Sequence, residues 1–434
     1  MIQNCKKIIG IAAMALVCHS CSLDVIPRAD IDPGEIAVDD METLLAGCYD
    51  GATFSGTGQK HLFFITEDIS SDNLLVRASG WGTRDIDQNN ISTSNSNMSR
   101  WWNQLYVVIY RCNAFMEAIA SYSDEDFEGN RKQEMISEAR YIRAWAHYQL
   151  VTHWGGVPVV QNVNNDLPAR DSEETVWEFV IGELEAIKES ITPFRDASYA
   201  SPQAVYALLA RIYLVRGDKE KAMAYSKKLM EDPTFELAAD YASIWRKESK
   251  EMIMQWQATV NDALGLGFFV SGHGRYEFPV TQELYAAFEE GDLRKDATVE
   301  VLDTPQSGYD LSCAKYYITG NGDDAIPVSR ISEAYLIYAE AAGRENGLDA
   351  LNEVREIRGL KPILSVASDE EYETILLQER RVEFACEGLR WTDLKRTGRA
   401  SEFLPTIASP NQLLYPIPVS AIDNNPNLKQ NPGY

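Results

Sequence analysis

SPQAVYALLARIYLVRGDKEKAMAYSKKLM, residues 201–230, reads as two helices joined at one glycine. Ser201 can accept a hydrogen bond from the free backbone N–H groups of a first turn. Pro202 fits the first helical position, where no N–H is needed. Val205, Leu208, Leu209, Ile212 and Val215 recur at helical spacing and form one apolar stripe. Gly217 stops that helix, and Asp218 starts a second one through Met230. Ala204, Ala207, Ala210 and Ala222 put small side chains on the facing stripes, so two antiparallel helices can approach closely.

The same grammar recurs along the chain. Asp39 or Asp40 can cap a short helix through Tyr49, and Ser99 a longer one through about Tyr122. Met135, Ala139, Ile142, Ala146 and Leu150 mark a helix over 130–151, which stops at Gly155-Gly156 before Pro158. Ser172 opens another through Ile191. Helices over 331–346 and 348–358 flank Gly347, and one over about 369–387 ends at Gly388. These segments pair: 99–122 with the short helix before it, 130–151 with 173–191, 202–216 with 218–230, and 331–346 with 348–358. The expected fold is mostly α, a scaffold of about four helix pairs that resemble degenerate tetratricopeptide repeats. Repeats occupy 39–54, 99–232 and 331–398 of one domain spanning 39–434. Loop-rich, aromatic-rich insertions at 55–98 and 240–330 form a second layer, the latter with a few short strands. The tail 404–434, rich in Pro and Asn, cannot be one continuous helix.

The chain has 434 residues, with 40 Lys+Arg against 65 Asp+Glu, a formal charge of −25. Such a surface repels phosphate backbones, so nucleic acid is not an expected partner. The first 20 residues read as an export signal. Lys6 and Lys7 precede the apolar run Ile8 to Val17, which is too short to span a bilayer, and small Ser20 precedes Cys21. A cysteine directly after the processing site points to a bacterial lipoprotein acylated on Cys21. Cys18 stands where such signals usually carry Leu, which leaves a plain secretory signal as the alternative. Residues 21–38, with Pro27 and Pro33, read as an extended leader. The later cysteines, Cys48, Cys112, Cys313 and Cys386, lack metal-binding spacing. Cys48 and Cys112 fall on helices expected to pack, so a bridge between them is one candidate and reduced thiols the other.

Nothing in the chain spells out catalysis. The five histidines, His19, His61, His147, His153 and His273, show no HExxH or paired spacing, so no zinc site is expected. No GxSxG and no phosphate-binding glycine loop is present, and the GLG at 265–267 lacks the rest of a dinucleotide fingerprint. The charged run Glu379, Arg380, Arg381, Glu383, Glu387, Arg390, Trp391, Asp393 and Arg396 reads as a structural ion-pair and Trp-packing network. Glu138 with Arg140 and Arg143, and Arg330 with Glu333 and Glu340, read the same way. His147 and His153 read as packing residues.

Several stretches together resemble the SusD/RagB family of outer-membrane nutrient-binding lipoproteins. They are CSLDVIP (21–27), RCNAFMEAI (111–119), EARYIRAWAHYQLVTHWGGVPVV (138–160), the helix pair quoted above, RISEAYLIYAEAA (330–342), LNEVREIRG (351–359), ERRVEFACEGLRWTDLKRTG (379–398) and LLYPIPVSAIDNNPNLKQNPGY (413–434). The resemblance implies a cell-surface lipoprotein of the outer membrane. It would capture oligosaccharides and pass them to a SusC-like TonB-dependent transporter, without catalysis. The rival readings are a peptide binder on the same fold, a surface glycan hydrolase, and a scaffold with no small ligand. No cofactor is expected. Structural calcium is compatible with the family, but no EF-hand-like loop is present.

Sugar binding favours aromatic faces for the apolar side of a pyranose, with Asn, Asp and Arg for its hydroxyls. The insertion 68–103 offers Asp72, Asn73, Arg77, Trp81, Arg84, Trp101, Trp102 and Asn103. The second, over 256–317, offers Phe268, Phe269, His273, Arg275, Tyr276, Tyr309, Tyr316 and Tyr317. Family members bind ligand from roughly these two regions. The expected ligand-binding set is Asn73, Arg77, Trp81, Trp101, Arg275, Tyr276 and Tyr309. Trp81, between two glycines, is the best-exposed platform by pattern, whereas Trp102 with Tyr106 reads as packing.

Overall fold

The computed structural model describes residues 36–54, 60–77, 82–164, 166–245, 249–257, 265–316 and 325–434. The expected lipidation site Cys21 and the loop carrying Trp81 lie outside the described residues, as does Tyr317.

The helices Met41–Ala52 (α1), Lys60–Ser70 (α2), Ser96–Ala120 (α3), Arg131–Trp154 (α4), Glu173–Ile187 (α5), Pro202–Val215 (α6) and Lys219–Met230 (α7) build the N-terminal part. Ile331–Asn346 (α8), Leu348–Ile357 (α9), Asp369–Glu383 (α10) and Arg390–Arg396 (α11) build the C-terminal part. All four expected pairs form: α1 on α3, α4 on α5, α6 on α7, and α8 on α9. Helix α7 packs on α8 as well as on α6, which joins the parts into one scaffold.

The caps at three helices are the expected ones, Ser172, Ser201 and Asp218, and Ser368 adds a fourth. Each accepts a backbone N–H of the following first turn. Helix α3 differs. It starts at Ser96 rather than after Ser99, because the Asn95 carboxamide accepts from Asn97 N and Met98 N. Helix α5 stops at Ile187, short of the expected Ile191.

Helix α4 is the central rod. From Tyr141 to Trp154 every residue except Gln149 is buried, so the helix is wrapped on all sides. It ends at Gly155, whose φ of +73° favours glycine. Gly156 is required by close approach: a Cβ there would lie 2.3 Å from Asp171 O. The C-terminal tail docks at this helix end. Trp154 Nε1 donates to Pro416 O at 3.0 Å, Tyr415 N to His153 O at 2.8 Å, and Asn431 Nδ2 to Trp154 O at 3.1 Å.

One segment departs from its expected place. Residues 60–70, assigned to a surface insertion, form α2, and Leu62, Phe63, Ile65 and Ile69 sit in the core. Helix α11 packs on it. The second insertion does contain short strands. Met252–Trp256 (β1) pairs antiparallel with Ile326–Arg330 (β4), and Val299–Gln306 (β2) with Tyr309–Cys313 (β3). The four cysteines among the described residues are buried free thiols, so Cys48 and Cys112 are in contact but not bridged.

The charged runs are structural, with partners more specific than helical spacing indicates. Glu383 is fully buried at the centre. One carboxylate oxygen accepts from Arg330 Nη1 and Arg358 Nη2, both at 2.9 Å; the other accepts from Arg294 Nη1 and Arg358 Nε, both at 3.1 Å. Arg330 and Arg358 also reach Glu251, Lys315 and Arg330 reach Glu387, and Arg294 and Arg355 reach Glu379. Arg294 is further held by Asp292. Five cations, Arg294, Lys315, Arg330, Arg355 and Arg358, thus face Glu251, Asp292, Glu379, Glu383 and Glu387, and Arg355 also reaches the exposed Glu289. Arg330 does not pair with Glu333 or Glu340: Glu333 binds Arg211, and Glu340 binds Arg396. Glu138 takes Arg131, while Arg140 and Arg143 share Glu183.

Removing one carboxylate strands buried guanidinium groups, the costly way to break a buried pair. Glu383→Gln is therefore expected to lower unfolding free energy by about 3–5 kcal/mol in urea titration. A loss under about 1 kcal/mol would place the cluster outside the stabilising core.

His147 gives a pH signature. It is fully buried on α4, its Nδ1–H donates to Arg143 O at 2.9 Å, and its ring meets Phe179 edge-on. Burial pushes its pKa down to about 4. The unfolded chain takes up this proton near pH 6.5 and the folded one only near 4. This contribution to stability is complete above pH 6.5 and lost as pH falls through that window. His147→Leu is expected to retain on the order of 3 kcal/mol of the stability that the parent protein loses between pH 7 and 4. Urea titrations at the two pH values check this; equal losses would refute it.

Candidate functional site

The two insertions singled out from sequence meet along one seam. Residues 73–77 lie antiparallel to 277–281. Thr281 N donates to Asn73 O, Leu75 N to Pro279 O and Arg77 N to Glu277 O, at 3.0, 2.8 and 2.9 Å. Leu74 and Val280 form a bridge between them. The short helical turn Leu266–Val270 is clamped beside this ladder, as Arg275 N donates to Phe268 O and Glu277 N to Phe269 O. Gly274 permits the approach: a Cβ there would lie 2.3 Å from Phe268 O. The β2–β3 hairpin closes the other side. Val280 N donates to Leu311 O at 3.0 Å, and Gln306 Nε2 to Gly272 O at 2.7 Å.

Arg77, Arg275, Tyr276 and Tyr309 are brought together here. The Arg77 guanidinium donates to Arg275 O at 2.8 Å and lies over the Tyr276 ring at 5.1 Å. Arg275 has a half-exposed side chain that pairs with Glu277 at 2.6 Å. Tyr309 stands partly exposed at the start of β3. Phe268 is 40% exposed and meets Phe269 edge-on. His273 donates from Nε2 to Glu300 at 2.9 Å on the same surface. The seam thus displays aromatic faces beside guanidinium and carboxylate groups, on backbone held by cross-chain hydrogen bonds.

Three expected ligand residues do not face solvent. Tyr276 is buried under Arg77, and its hydroxyl donates to Leu311 O at 2.7 Å. Its backbone is left-handed, with φ of +51°, and burial pushes its pKa well up. Trp101 is 2% exposed, packed among Phe63, His153, Trp154 and Tyr415. Asn73 is fully buried and bridges Asp68 to Arg381. Each carries the polar or aromatic chemistry of a sugar contact but uses it inside the fold. Asp72 is likewise taken up by Arg381 and Arg390, and Trp102 and Tyr316 are buried. As read from sequence, Trp102 packs on Tyr106.

Asp68 is a tie that no sequence pattern signalled. It is fully buried on α2 and accepts from Asn73 Nδ2, Cys386 N and Gly388 N. Burial pushes its carboxyl up to about 7, against the pull of these bonds. Only a three-dimensional turn at 386–388 could reveal it. Among the described residues no group of three or more His, Cys, Asp and Glu side chains is arranged to hold a metal ion. No helix among them is long and apolar enough to cross a membrane.

Comparison with known proteins follows the same segments. A family model described as SusD-like, starch-binding and associating with the outer membrane matches residues 23–214, and the SusD family model matches 312–406. The chain belongs to the SusD/RagB family. A SusD-like protein of Bacteroides ovatus is 24% identical over 90% of this chain and 82% of its own length. The starch-binding protein SusD of Bacteroides thetaiotaomicron is 23% identical over 89% and 87%. Among solved structures, a SusD superfamily protein from Bacteroides thetaiotaomicron superposes with a TM-score of 0.82 at 22% identity, covering 92% of this chain and 100% of the other. A laminarin-binding SusD-like protein gives 0.80 at 22%, covering 91% and 99%. Surface glycan-binding protein A from Bacteroides fluxus gives 0.77 at 22%, covering 92% and 100%. These likenesses establish a common fold. The family is one of binding proteins, and the chain is not an enzyme.

The buried role of Tyr276 has its own test. Tyr276→Phe is expected to cost about 1 kcal/mol of stability through the lost hydrogen bond, while leaving ligand affinity within about twofold. A large affinity loss at unchanged stability would return the ring to the binding surface.

Proposed function

We propose that this protein captures oligosaccharides at the cell surface and passes them to a SusC-like TonB-dependent transporter, held at the outer membrane by lipid on Cys21. The observation that carries this reading is the agreement of relatives along nearly the whole chain, whose names speak of starch, laminarin and glycans. The seam adds the chemistry. Phe268 and Phe269 offer apolar faces for pyranose rings, and Arg77, Arg275 and Tyr309 offer donors for hydroxyls. Trp81 remains a proposed platform at the end of the same segment. Affinity would come from stacking and a few hydrogen bonds over a shallow surface, so it would be modest. The rigid ladder below helps, because preformed contacts lose little side-chain and loop entropy on binding.

The test is a binding screen of neutral plant and host glycans alongside a casein peptide mixture, with Arg77→Ala, Arg275→Ala and Phe269→Ala as variants. A glycan is expected to bind, with each variant weakening it by about tenfold. A SusC-like barrel is expected to co-purify with the lipidated protein. Peptide binding without any glycan binding would overturn the ligand class, and a glycan bound equally by all variants would move the site off the seam.

A further inference from the structure

A second concave site is built from other elements. A cavity of about 60 Å³ under Phe54, Trp145 and Trp256 holds water-sized guests and no sugar ring. By contrast, a cleft of about 820 Å³ opens between α1, the connection from α5 to α6, and β1 with the segment before it. That is within the range of roughly 300–1,000 Å³ typical of small-ligand sites.

The cleft is rigid where it matters. Gln255 N donates to Ala197 O at 2.8 Å, which pins the α5–α6 connection to β1. Ser198 N donates to Asp196 Oδ1 at 2.8 Å, fixing the turn before Tyr199. Ala200 N donates to the Tyr49 hydroxyl at 3.0 Å, and the Tyr49 ring meets Tyr199 edge-on at 5.6 Å. On the opposite wall Gln255 Nε2 and Ser198 Oγ both donate to Gln257 Oε1, which lines up a row of amides. Phe194 and Phe235, packed edge-on at 5.0 Å, give the cleft an apolar side.

Arg195 is the distinctive group. Its guanidinium carbon sits over the Tyr199 ring, 3.4 Å from the centroid, and Tyr199 is itself 37% exposed. Among the described residues no acceptor takes a hydrogen bond from it. Its nearest carboxylate, Glu138, lies 4.0 Å away and is already engaged by Arg131, Tyr49 and Thr192. Arg330, Arg358 and Arg396, by contrast, are each held by carboxylates at 2.5–2.9 Å. A guanidinium held over an aromatic ring at the edge of a cleft, its one carboxylate neighbour at 4.0 Å and beyond hydrogen-bond reach, can take a carboxylate bidentately.

We infer that this cleft binds a carboxylate-bearing sugar unit, a uronate within an acidic oligosaccharide. Arg195 takes the carboxylate, Gln255, Gln257 and Ser198 take hydroxyls, and the Phe194–Phe235 side takes the apolar face. At short range Asp196 and Glu138 oppose an anion, whereas Arg195 and Lys250 of the lining favour one; the chain's remaining negative charge is screened beyond about 8 Å at physiological ionic strength. The inference shares only a general ligand class with the proposed function, since none of these residues belongs to the seam.

The experiment is calorimetric titration of the purified full-length protein with trimers of galacturonate, glucuronate and mannuronate, and with their methyl esters. At least one acidic trimer is expected to bind. Its ester and the Arg195→Gln variant should each weaken binding by about tenfold or more, with Arg195→Lys recovering part of it. Arg77→Ala and Arg275→Ala should leave this binding unchanged, whatever they do to neutral glycans. Failure of every acidic trimer to bind, or binding indifferent to Arg195→Gln, would overturn the inference without touching the seam.

Discussion

The structure depends on one buried carboxylate. Glu383, at the last position of α10, holds Arg294, Arg330 and Arg358 from three different segments. These charges are out of water, where an unpaired ion costs several kcal/mol and attraction between close charges is strong. The arrangement is tolerable because every cation meets at least one carboxylate and because backbone carbonyls take several of the remaining donors. Glu383 O itself accepts from Tyr241, Lys315 and Arg330. Burial alone would raise the pKa of Glu383, but the three guanidinium groups hold its carboxyl well below the usual range. A hydrophobic core can slide by a rotamer; a buried cluster of paired charges tolerates far less displacement. It therefore sets the positions of β1, β4, α9 and α10 relative to one another.

From that anchor the geometry propagates outward. The 386–388 turn lies just beyond the end of α10 at Glu383 and hydrogen-bonds Asp68 of α2. Asp68 holds Asn73, and Asn73 begins the ladder to 277–281 on which Arg77 and Arg275 are displayed. The exposed, chemically plain candidate surface thus stands on a buried, polar foundation. This division suits a protein that must present the same contacts to a flexible, solvated ligand each time. The polar residues nearest the surface in sequence are often spent on the foundation, as Asn73 and Asp72 are.

The helical scaffold was largely legible from sequence because its signals are local. Ser201-Pro202, the stripe from Val205 to Val215, and Asp218 each act within one or two turns, and the pairs they define all form. Helix α2 was missed because its charged and polar positions, Glu67, Asp68 and Thr66, are as buried as Leu62 and Ile69, which removes the amphipathic contrast that periodicity relies on. The ionic character of residues 379–396 was legible, but not its partners: Arg330 pairs with residues 53 and 57 positions away, and helical spacing cannot reach that far. The candidate site was legible as two regions and half legible as residues. Arg77, Arg275 and Tyr309 reach the surface, whereas Trp101 and Tyr276 share the composition of a sugar platform and are consumed by the core. Arg195 and Tyr199 gave no signal, since an arginine and a tyrosine four apart in a loop become a stacked pair only through the bend that Asp196 and Ser198 impose.

The claim that the buried cluster is the foundation is open to native-state hydrogen exchange. Backbone amides of β1 and β4, two short strands in a loop-rich layer, would ordinarily open locally and exchange with little protection. If the cluster governs them, Gln255 and Val328, together with Ile331, which opens α8 and donates to Glu251 O, should exchange only through global unfolding, with the same free energy and denaturant dependence as the amides of α4. Exchange of these amides by a local, denaturant-independent opening several kcal/mol below the global value would contradict the account.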